Sequence, residues 1–232
     1  MGFLFELKNL LIVARYNEDI SWVENLNCDV IIYNKGEELD PKYQAINIDN
    51  FGREAETYLR AICNLYEKID ELYDHVIFLQ GNPFDHNPDI LNFLPQDNNN
   101  LAYKYPYFLT KDNFRWVSLY FKQFGTSEFE VQNKYDKNNL NWLKMASSNE
   151  VYLDILRNTL NNLELPWYNS YICYPNAQFI IPKKYICAKP FEWWQNAYNL
   201  FDYCEKNAYK NTDYPGMAYI FEQLWYTIFT HF

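Results

Sequence analysis

Basic residues, histidines and paired cysteines are scarce in this sequence, and each shortage counts against a class of function. The 20 Lys and Arg stand against 30 Asp and Glu, a formal net charge of −10. Nucleic acids and anionic lipid surfaces draw most of their binding free energy from Lys and Arg, so both are poor partners for such a chain. Histidines number three, His75, His86 and His231, fewer than a metallophosphoesterase gathers around its metals. The five cysteines, Cys28, Cys63, Cys173, Cys187 and Cys204, are odd in number and hold no CxxC pair, which reads as reduced thiols. No stretch reaches the ~18 consecutive apolar residues of a membrane span. The first residues carry neither a basic n-region nor a small-residue cleavage site, so the expected location is the cytoplasm. No Gly/Ser- or Pro-rich linker divides the 232 residues, and one domain is expected over 1–232.

What is present is apolar material in short, ordered runs. Leu10 to Ala14, Asp29 to Tyr33 and His75 to Leu79 are near-continuous apolar segments closed by polar residues, the pattern of strands buried on both faces. Ala45 to Ile48 reads as a weaker strand and Ile20 to Leu26 as a short helix. From Glu54 onward Ala55, Tyr58, Leu59, Ile62, Cys63, Tyr66 and Ile69 recur at three- and four-residue steps, the stripe of a helix packed on a sheet. Strands alternating with helices predict an α/β fold with a mostly parallel central sheet and flanking helices. The second half reads as more helical and irregular. Val151 to Leu163 is a helix, Ala177 to Ile181 a strand, and Met217, Ile220, Phe221, Leu224, Trp225 and Ile228 mark one face of a last helix. Asp97 to Asn100 and Phe124 to Asn141 read as polar loops.

In an open parallel sheet, ligands bind outside the carboxyl ends of the strands. That rule selects Arg15-Tyr16-Asn17-Glu18-Asp19, Asn50-Phe51-Gly52-Arg53-Glu54 and Gln80-Gly81-Asn82-Pro83-Phe84-Asp85-His86. Gly52 permits close backbone approach at a helix start, and Arg53 is placed for a bidentate phosphate contact. The same residues also suit plainer roles: a surface ion pair of Arg15 with Glu18 or Asp19, a helix start with an acid at Glu54, and a cap at Asp85 and His86 for a short helix from Pro88. Gln178 is either an acceptor contact or a strand-edge residue. Glu222, on a helix rich in aromatics, is either a base or half of an ion pair. The 22 Tyr, 17 Phe and 7 Trp offer flat faces for sugars, with Trp142, Trp167 and Trp193-Trp194 in the irregular half, although most aromatics read as packing.

The strings VARYNED, IIYNKG, NFGREAETYLRAI, IFLQGNPFDH, NAQFIIPKKYI and FEQLWYTIF run in this order over nearly the whole chain. They resemble the family known as domain of unknown function 3431. Its opening, an apolar strand followed by R-Y-N-E, is similar to the first strand and nucleotide-binding loop of glycosyltransferases with the A-type, Rossmann-like fold. The resemblance implies a nucleotide-binding half over 1–95 and an acceptor-side half over 96–232. It also implies transfer of a sugar from a nucleotide-diphosphate sugar to a glycan or other acceptor. Arg15, Asn17, Glu18, Arg53, Glu54, Gln80, Asn82 and Gln178 would then bind substrate, with Asp85 and Glu222 as catalytic carboxylates. In those enzymes a D-x-D motif holds Mn²⁺ or Mg²⁺. Here Gln80-Gly81-Asn82 occupies that place, which leaves either a metal on Asp85 and His86 or phosphate charge carried by Arg15 and Arg53. The alternative implied by the missing motif is a non-catalytic carbohydrate-binding or scaffold protein.

Overall fold

A computed structural model describes residues 8–85, 87–95, 103–109, 116–121, 127–132, 150–167, 170–174, 177–207 and 216–231. The first strand, β1 (Asn9–Arg15), is buried along nearly its whole length, as its apolar run requires. It is flanked in parallel by β2 (Asp29–Asn34) and β4 (His75–Gln80), and β3 (Ala45–Asn47) adds to β2, also in parallel. Between β3 and β4 runs α1 (Arg53–Leu72), whose stripe from Ala55 to Ile69 lies against the sheet.

Beyond β4 the expectation of a mostly parallel sheet is corrected. Next to β4 lies β9 (Phe179–Pro182), antiparallel to it, and β5 (Tyr107–Phe108) pairs antiparallel with β9 on the far edge. The six-stranded sheet is therefore mixed, in the order β3-β2-β1-β4-β9-β5. An apolar run buried on both faces looks the same in either direction, so Phe179-Ile180-Ile181 carries no sign of its orientation.

A second sheet, antiparallel throughout, joins β6 (Trp116–Phe121), β7 (Ser127–Gln132) and β8 (Ser170–Cys173) in the order β7-β6-β8. The stretch read as a loop from Phe124 thus contains a strand. Its signal was present, because Phe129 and Val131 alternate with Glu128, Glu130 and Gln132 at the period of a half-buried strand. Residues 133–141 of that reading, and 97–100, lie outside the described residues. The later helices are α2 (Glu150–Asn162), α3 (Lys183–Cys187), α4 (Phe191–Asn207) and α5 (Met217–Thr230).

Alternation along the strands sends neighbouring side chains into two cores. Leu10, Ile12, Val76, Phe78 and Phe179 face the helical side, where α1, α2, α4 and α5 supply Tyr58, Leu160, Phe201 and Trp225. Leu11, Val13, Ile77, Leu79 and Ile180 face a thinner layer in which Trp22, Val23 and Ile90 come from single turns of 3₁₀ helix, Ser21–Asn25 and Ile90–Phe93. Long helices therefore cover one face, and short turns and loops the other. That leaves the strand ends beside α1 framed by loops.

Cys28, Cys63, Cys187 and Cys204 are free thiols. Burial pushes Cys28 up to about 12 and Cys63 and Cys187 up to about 11, from an ordinary value of 9.0. A raised thiol pKa favours the folded state below pH 9, and this contribution is lost as pH climbs through the folded values. The thiolate is the reactive form. Alkylation of the native protein by iodoacetamide should therefore still be accelerating at about pH 10, whereas in urea it levels off near the ordinary value. A native profile that levels off in the same range would contradict these burial shifts.

Candidate functional site at the ends of β1, β2 and β4

The turn of strand order lies at β1, with β2 to one side and β4 to the other, both parallel to it. At the carboxyl ends of these strands a cavity of about 260 Å³ opens. It is lined by Ala14, Arg15, Tyr16 and Glu18 at and after the end of β1, Lys35 just after β2, Asn50 before α1, Arg53 and Glu54 at its start, and Gln80 at the end of β4. This is the crevice in which doubly wound sheets bind ligands. Arg15, Lys35 and Arg53 against Glu18 and Glu54, three formal positive charges and two negative, leave the lining one unit positive. The chain as a whole carries −10, so the cavity is a local exception to an acidic surface.

Arg15 is a hub of the scaffold. Its Nε donates to Glu18 O at 2.9 Å, and its Nη1 donates to Tyr16 O, Asn34 Oδ1 and Glu37 O at 3.0, 2.6 and 3.0 Å. These bonds tie the loop after β1 to the loop after β2. Asn17 works in the same tie, its Oδ1 accepting from Glu37 N at 2.8 Å, and it is not part of the lining. Glu18 shapes the loop from within, Oε2 accepting from Tyr16 N at 2.7 Å. Gly81 lets the loop after β4 approach, since a Cβ there would stand 2.4 Å from Glu18 Oε2. Trp22 Nε1 fixes Gly81 O at 3.0 Å from the far side.

The start of α1 is unusual in its backbone. Gly52 and Arg53 both have positive φ, 60° and 51°. For glycine this is free, but for arginine it costs about 1–3 kcal/mol and persists only where surrounding groups impose it. The N-cap, Gly52, makes no side-chain cap hydrogen bond, the condition of helix starts at which anions bind. Lys35, with a side chain only 5% exposed, donates from Nζ to Phe51 O and to Arg53 O, the latter at 2.6 Å, and ion-pairs with Glu56 Oε2 at 3.0 Å. Burial lowers the Lys35 pKa, and Glu56 works against that shift. The exposed Arg53 side chain lies over the Tyr219 ring of α5, 5.1 Å from its centroid. Gln80 Nε2 donates to Glu54 Oε1 at 3.0 Å, joining the end of β4 to α1.

Of the residues singled out in the sequence, Arg15, Glu18, Arg53, Glu54 and Gln80 therefore meet in one cavity. Asn82 and Asp85 follow on the next turn, Asp85 exposed at the end of the 3₁₀ turn Pro83–Asp85, and neither lines the cavity. His86 lies outside the described residues. In the turn before the 3₁₀ helix Ile90–Phe93, Asn87 Oδ1 accepts from Asp89 N at 3.1 Å. Gln178 is buried and donates to Pro83 O at 3.3 Å, bracing the loop after β4 from β9. Glu222 sits half-buried on α5, three residues and so about one turn beyond Tyr219. Trp194 is fully buried and Trp193 donates to Leu163 O at 3.0 Å, so both serve packing. Among the described residues no three or more His, Cys, Asp or Glu side chains group to hold a metal. Lys35 was missed because its partners are 16 to 21 residues away and only the folded loops bring them together.

The site is thus a polar cavity at the strand ends of a mixed α/β sheet, beside the start of α1. The chain belongs to the family described as Protein of unknown function (DUF3431), which it matches over residues 10–232. No curated protein and no solved structure matches it. Among the described residues no helix is long and apolar enough to cross a membrane.

Proposed function

We propose that this protein binds a nucleotide-diphosphate sugar in the strand-end cavity and transfers the sugar to an acceptor. The observation that carries the reading is the convergence of Arg53, the uncapped start of α1 and the ends of β1 and β4 on one crevice. Support for an A-type, Rossmann-like assignment comes from the parallel β3-β2-β1-β4 block, the first four positions of the 3-2-1-4-5-6 order of a dinucleotide-binding sheet. The cavity, about 260 Å³, lies just under the ~300 Å³ at which ligand pockets begin. It suits a diphosphate and one ring, with the rest of the donor over the open rim.

In this reading Arg53 pairs with the diphosphate, and the half-exposed Tyr16 ring offers a flat face to the base or sugar. The amides of Asn50 and Gln80 contact hydroxyl groups or base edges. The acceptor oxygen attacks the anomeric carbon, the bond from that carbon to the diphosphate oxygen breaks, and the nucleoside diphosphate leaves with the electron pair. The acceptor's proton passes to a carboxylate, for which Glu222, one turn from the Arg53–Tyr219 contact, is the candidate on the acceptor side. Asp85 is off the cavity and His86 lies outside the described residues, and the steps above use groups of the protein alone. Gln80-Gly81-Asn82 in place of D-x-D also favours a second reading, a carbohydrate-binding protein without turnover.

Thermal-shift titration with UDP-, GDP- and CMP-sugars, each with and without Mn²⁺, tests the reading. A donor at a hundredfold excess over its Kd should raise stability by about 2.7 kcal/mol. Stabilisation followed by release of nucleoside diphosphate on adding acceptors supports transfer, and stabilisation without release supports the binding protein. No stabilisation by any donor would sink the transfer reading.

A further inference from the structure

Lys35 lines the cavity, yet its ammonium is fully engaged by the protein. Phe51 O and Arg53 O, the carbonyls on either side of Gly52, accept two of its hydrogens, and Glu56 Oε2 lies 3.0 Å away. Glu56 is itself completely buried and held from behind, its Oε1 accepting from Arg60 Nε at 2.6 Å and from Tyr198 OH at 3.4 Å. The ammonium is therefore clamped between the body of α1 and the turn that begins it. That turn is the place where two successive residues adopt positive φ, one of them an arginine. Side chains other than glycine remain in this region only where the surroundings over-determine them, and such positions gather at ligand clamps. The Arg53 side chain lies over the Tyr219 ring and its carbonyl also accepts from Thr57 Oγ1 at 3.4 Å, but the Lys35 ammonium is the group that ties that carbonyl to the one before Gly52.

We propose that Lys35 is a positioning residue: by drawing the Phe51 and Arg53 carbonyls onto one ammonium it holds the Gly52–Arg53 turn left-handed and so directs the Arg53 guanidinium across the cavity. This rests on the reading of the cavity as a diphosphate site. Without the ammonium the two carbonyls lose their common donor and Arg53 relaxes to an ordinary φ. Its side chain then leaves Tyr219 and the crevice. A lysine acting as a direct phosphate ligand would behave differently, because its loss and the loss of Arg53 would add.

The experiment uses Lys35→Met/Glu56→Gln, which removes both charges of the buried pair and keeps their shapes. Lys35→Arg is the second variant, since it leaves Glu56 a counter-ion but cannot set one ammonium between two carbonyls. Inorganic pyrophosphate is titrated by calorimetry into the full-length protein, with and without Arg53→Ala in each background. The expected result is at least a tenfold loss of affinity in either variant, with less than threefold further loss on adding Arg53→Ala. Amide exchange at residues 53–57 should accelerate while that of β1 stays unchanged. Unaltered affinity, or losses that multiply, would overturn the positioning role. Should the wild type bind no pyrophosphate, the diphosphate reading falls by itself. The exchange measurement then decides the clamp, and unchanged exchange at 53–57 overturns it.

Discussion

Replacing Gly36 by alanine is expected to destabilise the protein by about 3 kcal/mol or more, at the upper end of what overpacking costs. A Cβ on Gly36 would stand 1.8 Å from Tyr16 O and 2.1 Å from Asn17 Oδ1. The first of these is backbone, in the loop that Arg15 ties down through four hydrogen bonds, and it cannot swing aside. Relief requires the loop after β1 to part from the loop after β2, which breaks the Arg15 and Asn17 contacts together. Gly81→Ala is the control. Its Cβ meets the end of the Glu18 side chain at 2.4 Å, and a carboxylate can rotate away, so the fold should lose less than ~1 kcal/mol while the cavity changes shape. Urea unfolding of both variants, read at constant m-value, checks this. Equal midpoints for Gly36→Ala and wild type would mean that the two loops are not packed as described.

Arg53 should separate stability from binding more sharply than any other position. Substitution by alanine removes the guanidinium and is expected to weaken binding of the nucleotide diphosphate by about 1.5–3 kcal/mol, the range for hydrogen bonds to a charged partner. Substitution by glycine should weaken binding equally but leave a more stable protein than alanine does. In a helix interior alanine outranks glycine by about 1 kcal/mol. At a φ of 51° that order reverses, because only glycine occupies the left-handed region without strain. Calorimetry for affinity and thermal melts for stability give the two axes. A glycine variant less stable than the alanine variant would remove the backbone argument, and undiminished affinity in either would retire Arg53 as the diphosphate ligand.

The first half of the fold was legible residue by residue. The runs at Leu10, Val30 and Val76 and the stripe from Ala55 to Ile69 are local patterns, and each became the expected element within a residue or two. Tertiary pairing decided the rest. β9 lies antiparallel because the chain returns to the sheet from β5 and the second sheet, and Tyr107–Phe108, two residues long, is a strand only because β9 lies beside it. In the site, the strand-end rule found the segments that hold Arg15, Arg53, Glu54 and Gln80, since that rule depends only on where apolar runs stop. It could not sort the residues within a segment. Arg15 and Asn17 turn inward to backbone carbonyl and amide groups, Asp85 turns out to solvent, and Gln178 braces a loop from below.

By itself, then, the sequence determined an α/β chain with buried parallel strands at its start, an amphipathic helix to cover them, and a polar crevice where those strands end. Period and composition act over a few residues, and burial of an apolar face depends on little else. Only the tertiary structure decided the direction of the later strands, the second sheet, and the division of the polar residues into scaffold and lining. Those depend on partners distant in the chain: Lys35 meets Glu56, Arg15 meets Asn34, and Arg53 meets Tyr219 of the last helix. A charge has no preferred face until folding brings it an oppositely charged group, a carbonyl or a ring.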